Sequence, residues 1–424
     1  MPPPHPPSRI LISGAGLSSL SFALSLSRLW PSSLPRPHII LFERDTPSSA
    51  SAALRRQGYT LSLAGIEEAS GLAALRDLGL LDETLACAVA GSEQGRFKIW
   101  GPDWREWMSV KGRPVKGVPV GAVRVRRKDL RRVLLDAVGR CEGVEVRWGV
   151  MVVGAAERRG DGDGRVEVRV RSVDGEGKKG EERVEVGGLL VVADGASSKV
   201  RKELRKGDGL DYAGAVQLAG VGKFEEGIPE PVNTNWGLQL SGEGVCCFYS
   251  PSDEKNVLWS LSFLEEQGRE KRSYATGEEM QLLLEEARER GKAFGELFRR
   301  IVDATEDPAT TMCLPAQDKK PFRHDAGTRI VFIGDSNHAV SPFAGYGANL
   351  ALRDGWDLAQ CLVETPSIEA AVKQYDVLSY PRAVKILEAS RWRIKNGHST
   401  GLRFWLFGLF ISFGGFVLRT MGKS

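Results

Sequence analysis

Apolar residues along the chain fall into alternating blocks of two periods. "RILISGAG" (9–16) is a short apolar strand ending in glycines, and "LSSLSFALSLSRLW" (17–30) then carries Leu17, Leu20, Ala23, Leu24 and Leu29 at helical spacing. "PSSLPRP" breaks that helix, and "HIILFERD" (38–45) is a second strand whose apolar run ends on an acid. Strand, helix and strand in this order predict a right-handed crossover between parallel strands. "KDLRRVLLDAV" (128–138) reads as an amphipathic helix. "VEVRWGVMVVGAAE" and "RVEVRVRSV" alternate with period two, "RRGDGDG" (158–164) is a solvated turn, and "DGEGKK" is a hairpin turn leading into "ERVEV". "GGLLVVADG" (187–195) is another strand, ending in Asp-Gly.

The pattern changes over about 211–320. "YAGAVQLAGVGKF", "NWGLQLSGEGVCCFYS" and "VLWSLSF" predict an antiparallel sheet, and "GEEMQLLLEEARERGKAFGELFRRIV" (277–302) is helical. "RIVFIGD" then resumes the first style, and two long helical patterns follow at about 346–363 and 367–395. The fold expected is α/β: a doubly wound, Rossmann-like domain carrying an inserted antiparallel sheet, with helices at the C-terminus. Residues 9–95, 121–210 and 321–395 are assigned to the first domain, 96–120 and 211–320 to the inserted one, 1–8 to a disordered tail and 396–424 to an apolar C-terminal helix.

Composition narrows this further. A chain of 424 residues is too long for one ordinary core. The formal charge of +4, spread among interleaved acids and bases, gives no case for nucleic acid. Six scattered cysteines without a C-x-x-C pair read as reduced cytosolic thiols, with no disulfide framework and no metal site. The proline-rich "MPPPHPPSRI" lacks the apolar core of a signal peptide.

Candidate chemistry sits where strands meet helices. In "GAGLSS" (14–19), Gly14 allows a tight turn and Gly16 lets backbone approach a pyrophosphate at a helix N-terminus. Ser19 stands at the third glycine position, which serves helix–strand packing. Glu43 ends the next strand, where a carboxylate accepts hydrogen bonds from ribose hydroxyls. "GDSNHAVSPFAGYGANLAL" (334–352) places an acid after a strand, then a proline and glycines, then a helix start: a backbone cradle for a flat anionic ligand.

The order "GAG…ERD", "VRRKDLRRVLL", "VVADGASSKVR", "GDSNHAVSPFAGYGANLALRD" resembles the FAD-dependent aromatic hydroxylases, single-component flavoprotein monooxygenases of the para-hydroxybenzoate hydroxylase type. The resemblance covers most of 9–395 and is weak in the inserted domain. It makes the first domain a FAD-binding domain and the inserted one a substrate domain. It implies that Gly14, Gly16 and Glu43 hold the ADP part of FAD and that Arg127 reaches the pyrophosphate region, with Arg126 as the other arginine that fits. Asp194 and Gly195 match a motif linked to FAD and to transient NAD(P)H binding. Arg201 closes that motif or is a simple helix-start charge. Asp335 would hold a ribityl hydroxyl. Pro342, Gly345, Gly347, Ala348 and Asn349 would pass the pyrimidine edge of the flavin, where backbone N–H groups stabilise the charge gained on reduction. His338 reads as a structural residue satisfied by backbone. Arg44 would contact the adenosine ribose or NADPH, or form a surface salt bridge. Gln57, Gly58 and Pro342 are the pocket candidates, since the flavin itself carries the chemistry.

The activity this implies is NAD(P)H-dependent insertion of one oxygen atom from O₂ into an apolar or aromatic small molecule through a flavin C4a-hydroperoxide, as hydroxylation, epoxidation or Baeyer–Villiger oxidation. The alternatives are a flavin reductase or dehydrogenase without oxygen transfer, and a non-enzymatic FAD-holding interaction protein. Trp100, Trp104, Trp107, Trp236, Phe248, Tyr249, Trp259 and Phe263 are divided between core and pocket wall. The uncharged "FWLFGLFISFGGFVL" (404–418) would span roughly 22 Å as a helix, short of a ~30 Å hydrocarbon core. Interfacial membrane contact and packing on the protein both remain open for it.

Overall fold

The structure is a computed structural model and describes residues 7–46, 59–89, 91–92, 94–158, 164–173 and 179–420. A five-stranded sheet runs in the order Ile330–Phe332, Leu189–Val192, Arg9–Ser13, His38–Glu43, Val144–Trp148, with every pair parallel. Its central strands are continuous apolar runs because both faces are covered. Ile10, Ile12, Ile39, Leu41, Leu189 and Val191 point to the side packed by helices Leu17–Leu29, Arg127–Val138 and Gly347–Glu364. Leu11, Ile40, Phe42, Leu190 and Val192 point to a three-stranded antiparallel sheet, Val150–Arg158, Arg165–Val173 and Lys179–Gly187. Period two in the first two of those strands puts Val152, Val166, Val168 and Val170 inward.

The two glycine-marked helices cross closely. A Cβ on Gly355 would lie 2.5 Å from both the Phe22 nitrogen and the Ser18 oxygen, so only glycine permits helix Gly347–Glu364 to seat against Leu17–Leu29.

The second sheet has eight strands, in the order Arg272–Ser273, Met312–Asp318, Asp211–Lys223, Asn256–Leu264, Val245–Pro251, Trp236–Leu240, Phe97–Trp100, Glu106–Val110. One face buries Trp100, Tyr249, Trp259 and Phe263 against helices Gly277–Arg290 and Gly295–Asp303. The single helix expected over 277–302 is two helices and a 3-10 turn, because Gly291 ends the first and Gly295, at φ +75°, restarts the chain. A two-stranded ribbon, Thr60–Ala64 with Ala122–Arg126, lies between the sheets.

All six cysteines are free. Cys246 and Cys247 are neighbours on one strand and so face opposite ways. Cys247 enters the aromatic core, and Cys246 turns toward His398.

Helix Gly401–Thr420 is the last described element. Phe404, Phe407 and Ile411 pack with Ile99, Leu240 and Trp107 at the far edge of the eight-stranded sheet. Gly408 and Gly415 allow the approach: a Cβ on Gly415 would lie 2.5 Å from the Trp107 carbonyl oxygen.

Candidate cofactor site

Three neighbouring parallel strands, Arg9–Ser13, Leu189–Val192 and Ile330–Phe332, deliver their C-terminal loops side by side. Open α/β sheets bind ligands at such a place. In the first loop Gly14 has φ +91°, its N–H donates to Phe42 at 2.8 Å, and its Cβ would meet the Ala193 oxygen at 2.8 Å. Gly16 has open space in the Cβ direction, the nearest atom being 4.0 Å away. Helix Leu17–Leu29 starts there without a side-chain cap, and its first backbone bond comes from Leu20. The N–H groups of Leu17, Ser18 and Ser19 are therefore left for an anion. Ser19 itself is buried and returns its hydroxyl to the Gly16 oxygen at 3.0 Å.

Glu43 accepts from the Ala15 N–H at 2.9 Å and from Arg131 at 3.1 Å. The same guanidinium donates to the Ala15 oxygen at 2.9 Å. Arg131 thus braces the Gly14–Gly16 loop against Glu43. Sequence reasoning passed over it, although it lies four residues beyond Arg127 on the same helix face. Arg127 is exposed and has no side-chain partner among the described residues, whereas Arg126 is held by Asp129 at 2.6 Å. Of the two arginines, the free cation is Arg127. Arg44 is exposed and lies 3.5 Å from Asp45.

The second loop places Asp194 with Oδ2 accepting from the Lys199 N–H at 3.1 Å and Oδ1 buried without a hydrogen-bond partner among the described residues. Burial raises its carboxyl above the usual range. Gly195 sits at φ +82° with nothing within 4 Å of its Cβ direction. Arg201 is fully buried. It donates to the oxygens of Ala196 at 2.5 Å and Ser336 at 2.7 Å, so it ties the Asp-Gly loop to the Gly-Asp loop and is no surface helix charge.

In the third loop Asp335 is exposed, between the buried Gly334 and Ser336. Desolvation raises its carboxyl, with Arg127 the foremost charge acting in the opposite direction. Beneath it His338 is 2% exposed and its Nε2 meets Asp354 at 2.5 Å; the partner is a carboxylate, not the backbone. Asp354 also accepts from the Gly334 N–H at 2.9 Å, Ser379 at 3.0 Å and Arg382 at 2.9 Å. Burial opposes ionisation of both members. The mutual attraction outweighs it, raising His338 and holding Asp354 well below the carboxylate range.

The loop then forms a 3-10 turn, Pro342–Ala344, and Gly345 turns left-handed at φ +62° with open space in its Cβ direction. Gly347 begins the next helix uncapped, and Leu350 is the first residue to bond back. Gly347, Ala348 and Asn349 therefore present free N–H groups. The Asn349 side chain is turned away: it accepts from Ala64 at 2.8 Å and Gly71 at 3.0 Å and donates to Ser62 at 2.9 Å. The turn is pinned from helix Ile368–Gly397. Ser390 reaches Ser341 at 2.7 Å, and Arg393 donates to the oxygens of Phe343 and Ala344. Gln57 and Gly58 lie outside the described residues.

Two uncapped helix starts, an orphaned buried carboxylate oxygen and three glycines facing open space fit an elongated dinucleotide with a flat, charge-accepting end. Among the described residues no cluster suited to a metal ion occurs.

Comparison with known proteins agrees with the geometry. A family model described as "FAD binding domain" matches residues 55–389. The chain is 39% identical over 394 residues to Monooxygenase cfoF of Aspergillus candidus, covering 93% of this chain and 92% of that protein. It is 26% identical over 391 residues to kynurenine 3-monooxygenase of Salinispora tropica, covering 90% and 78%. Among solved structures, Klebsiella pneumoniae HpxO complexed with FAD and uric acid superposes with a TM-score of 0.71 at 20% identity, covering 97% and 95% of the two chains.

Proposed function

The chain belongs to the FAD-binding-domain family of aromatic-hydroxylase-type flavoprotein monooxygenases, and we propose that it uses NAD(P)H and O₂ to place one oxygen atom in a small aromatic molecule. When bound, FAD would supply the redox chemistry, with NAD(P)H as the two-electron donor and the second oxygen atom of O₂ released as water. The rest falls to the protein.

The observation that carries this reading is the uncapped start of helix Gly347–Glu364, held by Arg393 and Ser390. Its free N–H groups and helix dipole favour negative charge without a titrating side chain, which suits a flavin that becomes anionic on reduction. Asp335 would hold the ribityl chain, Glu43 the adenosine ribose, and Arg127 with the Gly14–Gly16 loop the pyrophosphate. The absence of a second dinucleotide fingerprint in the sequence supports transient NAD(P)H binding at the same domain. The relative named for kynurenine supports a small aromatic substrate.

The test is direct. Purified protein is expected to carry FAD, to oxidise NADPH only when O₂ is present, and to transfer one labelled atom from ¹⁸O₂ to product. NADPH oxidation that continues anaerobically with another acceptor, with no label in any product, would favour the reductase reading.

The C-terminal helix supports peripheral membrane contact. Trp405, Leu409, Phe410, Phe413 and Phe416 are each more than half exposed on the side away from the sheet. Only 17% of the apolar window Gly401–Leu418 is buried. An outward row of this kind on a packed helix fits a monotopic anchor lying in the interface of a cytosol-facing membrane.

A further inference from the structure

A recess of about 410 Å³ opens on the domain of the parallel sheet, at the edge opposite the cofactor loops. Helix Leu17–Leu29 begins at the Gly14–Gly16 loop and its last turn lines the recess, roughly 20 Å away along the helix axis. Helix Arg127–Val138 runs the same way and brings Ala137. The segments that enter strands His38–Glu43 and Val144–Trp148 add Arg36, Arg140, Cys141 and Glu142. Open α/β sheets hold their nucleotides at the carboxyl ends of the strands, so this is a different place.

The floor is apolar: Leu24, Leu78, Leu80 and Ala137 line it and are 6–7% exposed. Around it stand Arg28, Arg36 and Arg140, all exposed. Arginines near helix C-termini commonly serve the last carbonyls. Here the backbone already does so. The Gly79 N–H donates to Arg76 at 2.9 Å, Leu80 to Leu75 at 2.8 Å, Arg140 to Ala137 at 3.1 Å and Cys141 to Val138 at 2.9 Å. Arg36 reaches the Ser27 oxygen at 3.5 Å, too long for a strong bond. Arg28 lies across Gly79, where a Cβ would stand 3.1 Å from its Nη1, and glycine at φ +71° keeps that approach open.

Among the described residues none of these three arginines forms an ion pair, whereas nearby Arg76 and Arg353 both hold Asp77. One carboxylate, Glu142, lines the recess with them. Three guanidiniums against one carboxylate leave two positive charges unmatched beside an apolar surface. A phosphomonoester carries about −1.5 to −2 at pH 7 and offers three acceptor oxygens to guanidinium forks.

We propose that this recess binds a phosphomonoester with an apolar body, the body on the leucine floor and the dianionic head among Arg28, Arg36 and Arg140. The site is separate from those of cofactor and substrate and does not depend on the reaction catalysed.

The experiment is calorimetric titration with hexyl phosphate, 1-hexanol and inorganic phosphate, on enzyme with its pyrophosphate site filled by saturating FAD. Hexyl phosphate is expected to bind about tenfold or more tightly than either of the others. It should also slow alkylation of half-buried Cys141 by N-ethylmaleimide, with half-buried Cys87, outside the recess, unaffected. Arg28→Gln with Arg140→Gln should lose both effects while melting temperature and FAD content stay near wild type. Phosphatidate carries the same head on a lipid. Its arm uses phosphatidylcholine vesicles with and without phosphatidate, on protein carrying Leu409→Ser, Phe413→Ser and Phe416→Ser so that the C-terminal helix does not drive contact. Protection of Cys141 by hexyl phosphate assigns the site to a free ester, and protection by phosphatidate vesicles alone assigns it to a lipid head. Protection by neither, inorganic phosphate protecting as well as the ester, or protection that survives in the folded double variant overturns the proposal. Should the double variant not fold, the wild-type comparison decides alone.

Discussion

The imidazole of His338 and the carboxylate of Asp354 meet at 2.5 Å in the interior, 2% and 0% exposed. Asp354 belongs to helix Gly347–Glu364 and His338 to the loop after strand Ile330–Phe332. Their contact fixes the loop that carries Asp335 to the helix whose uncapped start is the proposed flavin contact.

Removing one partner leaves a buried charge. Asp354→Asn should cost about 3–5 kcal/mol, because Arg382 loses a counter-ion and His338 its charged partner. Thermal unfolding of the variant checks this; a loss below about 1 kcal/mol would mean the pair is not ionised.

The pair also sets a pH window. His338 is raised, so its contribution is full below the unfolded imidazole value of about 6.5 and fades as pH climbs through the folded value. Asp354 is lowered, so its contribution is full above about 3.9 and fades as pH falls toward the folded value. Stability attributable to the pair should therefore be greatest between about pH 4 and 6.5. Subtracting the melting profile of His338→Asn from that of wild type across pH 4–9 should show the difference shrinking on the alkaline side.

Two glycines of one loop should separate stability from cofactor binding. Gly345 is left-handed at φ +62°, so Gly345→Ala should destabilise the protein by about 1 kcal/mol even without FAD. A Cβ on Gly347 would lie 3.6 Å from its nearest neighbour, ordinary contact, so Gly347→Val should leave the flavin-free melting temperature almost unchanged. It should still weaken FAD binding, as should Asp335→Ala. Fluorescence titration with FAD against differential scanning of the apoprotein reads both. Full FAD affinity in Gly347→Val and Asp335→Ala together would refute the flavin-edge assignment.

Arg201 links carbonyls of two loops. Arg201→Met should strand buried acceptors at a cost of about 1–3 kcal/mol each and should lower FAD retention along with the melting temperature. Retention is read as the flavin-to-protein absorbance ratio after gel filtration. An unchanged ratio would confine the residue to a purely local role.

For membrane contact, deletion of 400–424 is a poor probe, because it also uncovers Ile99, Leu240 and Trp107. Outward substitutions are cleaner: Leu409→Ser with Phe413→Ser and Phe416→Ser should keep the fold and abolish sedimentation with phosphatidylcholine–phosphatidylserine vesicles. Unchanged sedimentation would remove the anchoring proposal.

The sequence alone determined the parallel sheet, the inserted sheet and the loops at which strands give way to uncapped helix starts. Those features rest on local rules: apolar runs that must be covered on two faces, glycines where φ is positive, helices that begin without a cap. Asp335 and the 342–349 turn were legible for that reason. Tertiary structure alone decided the roles that depend on what lies across the gap. Arg131 becomes a brace for Glu43, Arg201 a tie between loops, and Asn349 a clasp on Ser62, Ala64 and Gly71. Arg124, one arginine in a basic run, becomes a buried cation whose hydrogen-bond acceptors among the described residues are Ser62, Thr60 and Ser250, all neutral. A side chain's charge is written in the sequence, but its partners come from strands up to hundreds of residues away, and burial by those partners decides what the charge costs and what it can bind.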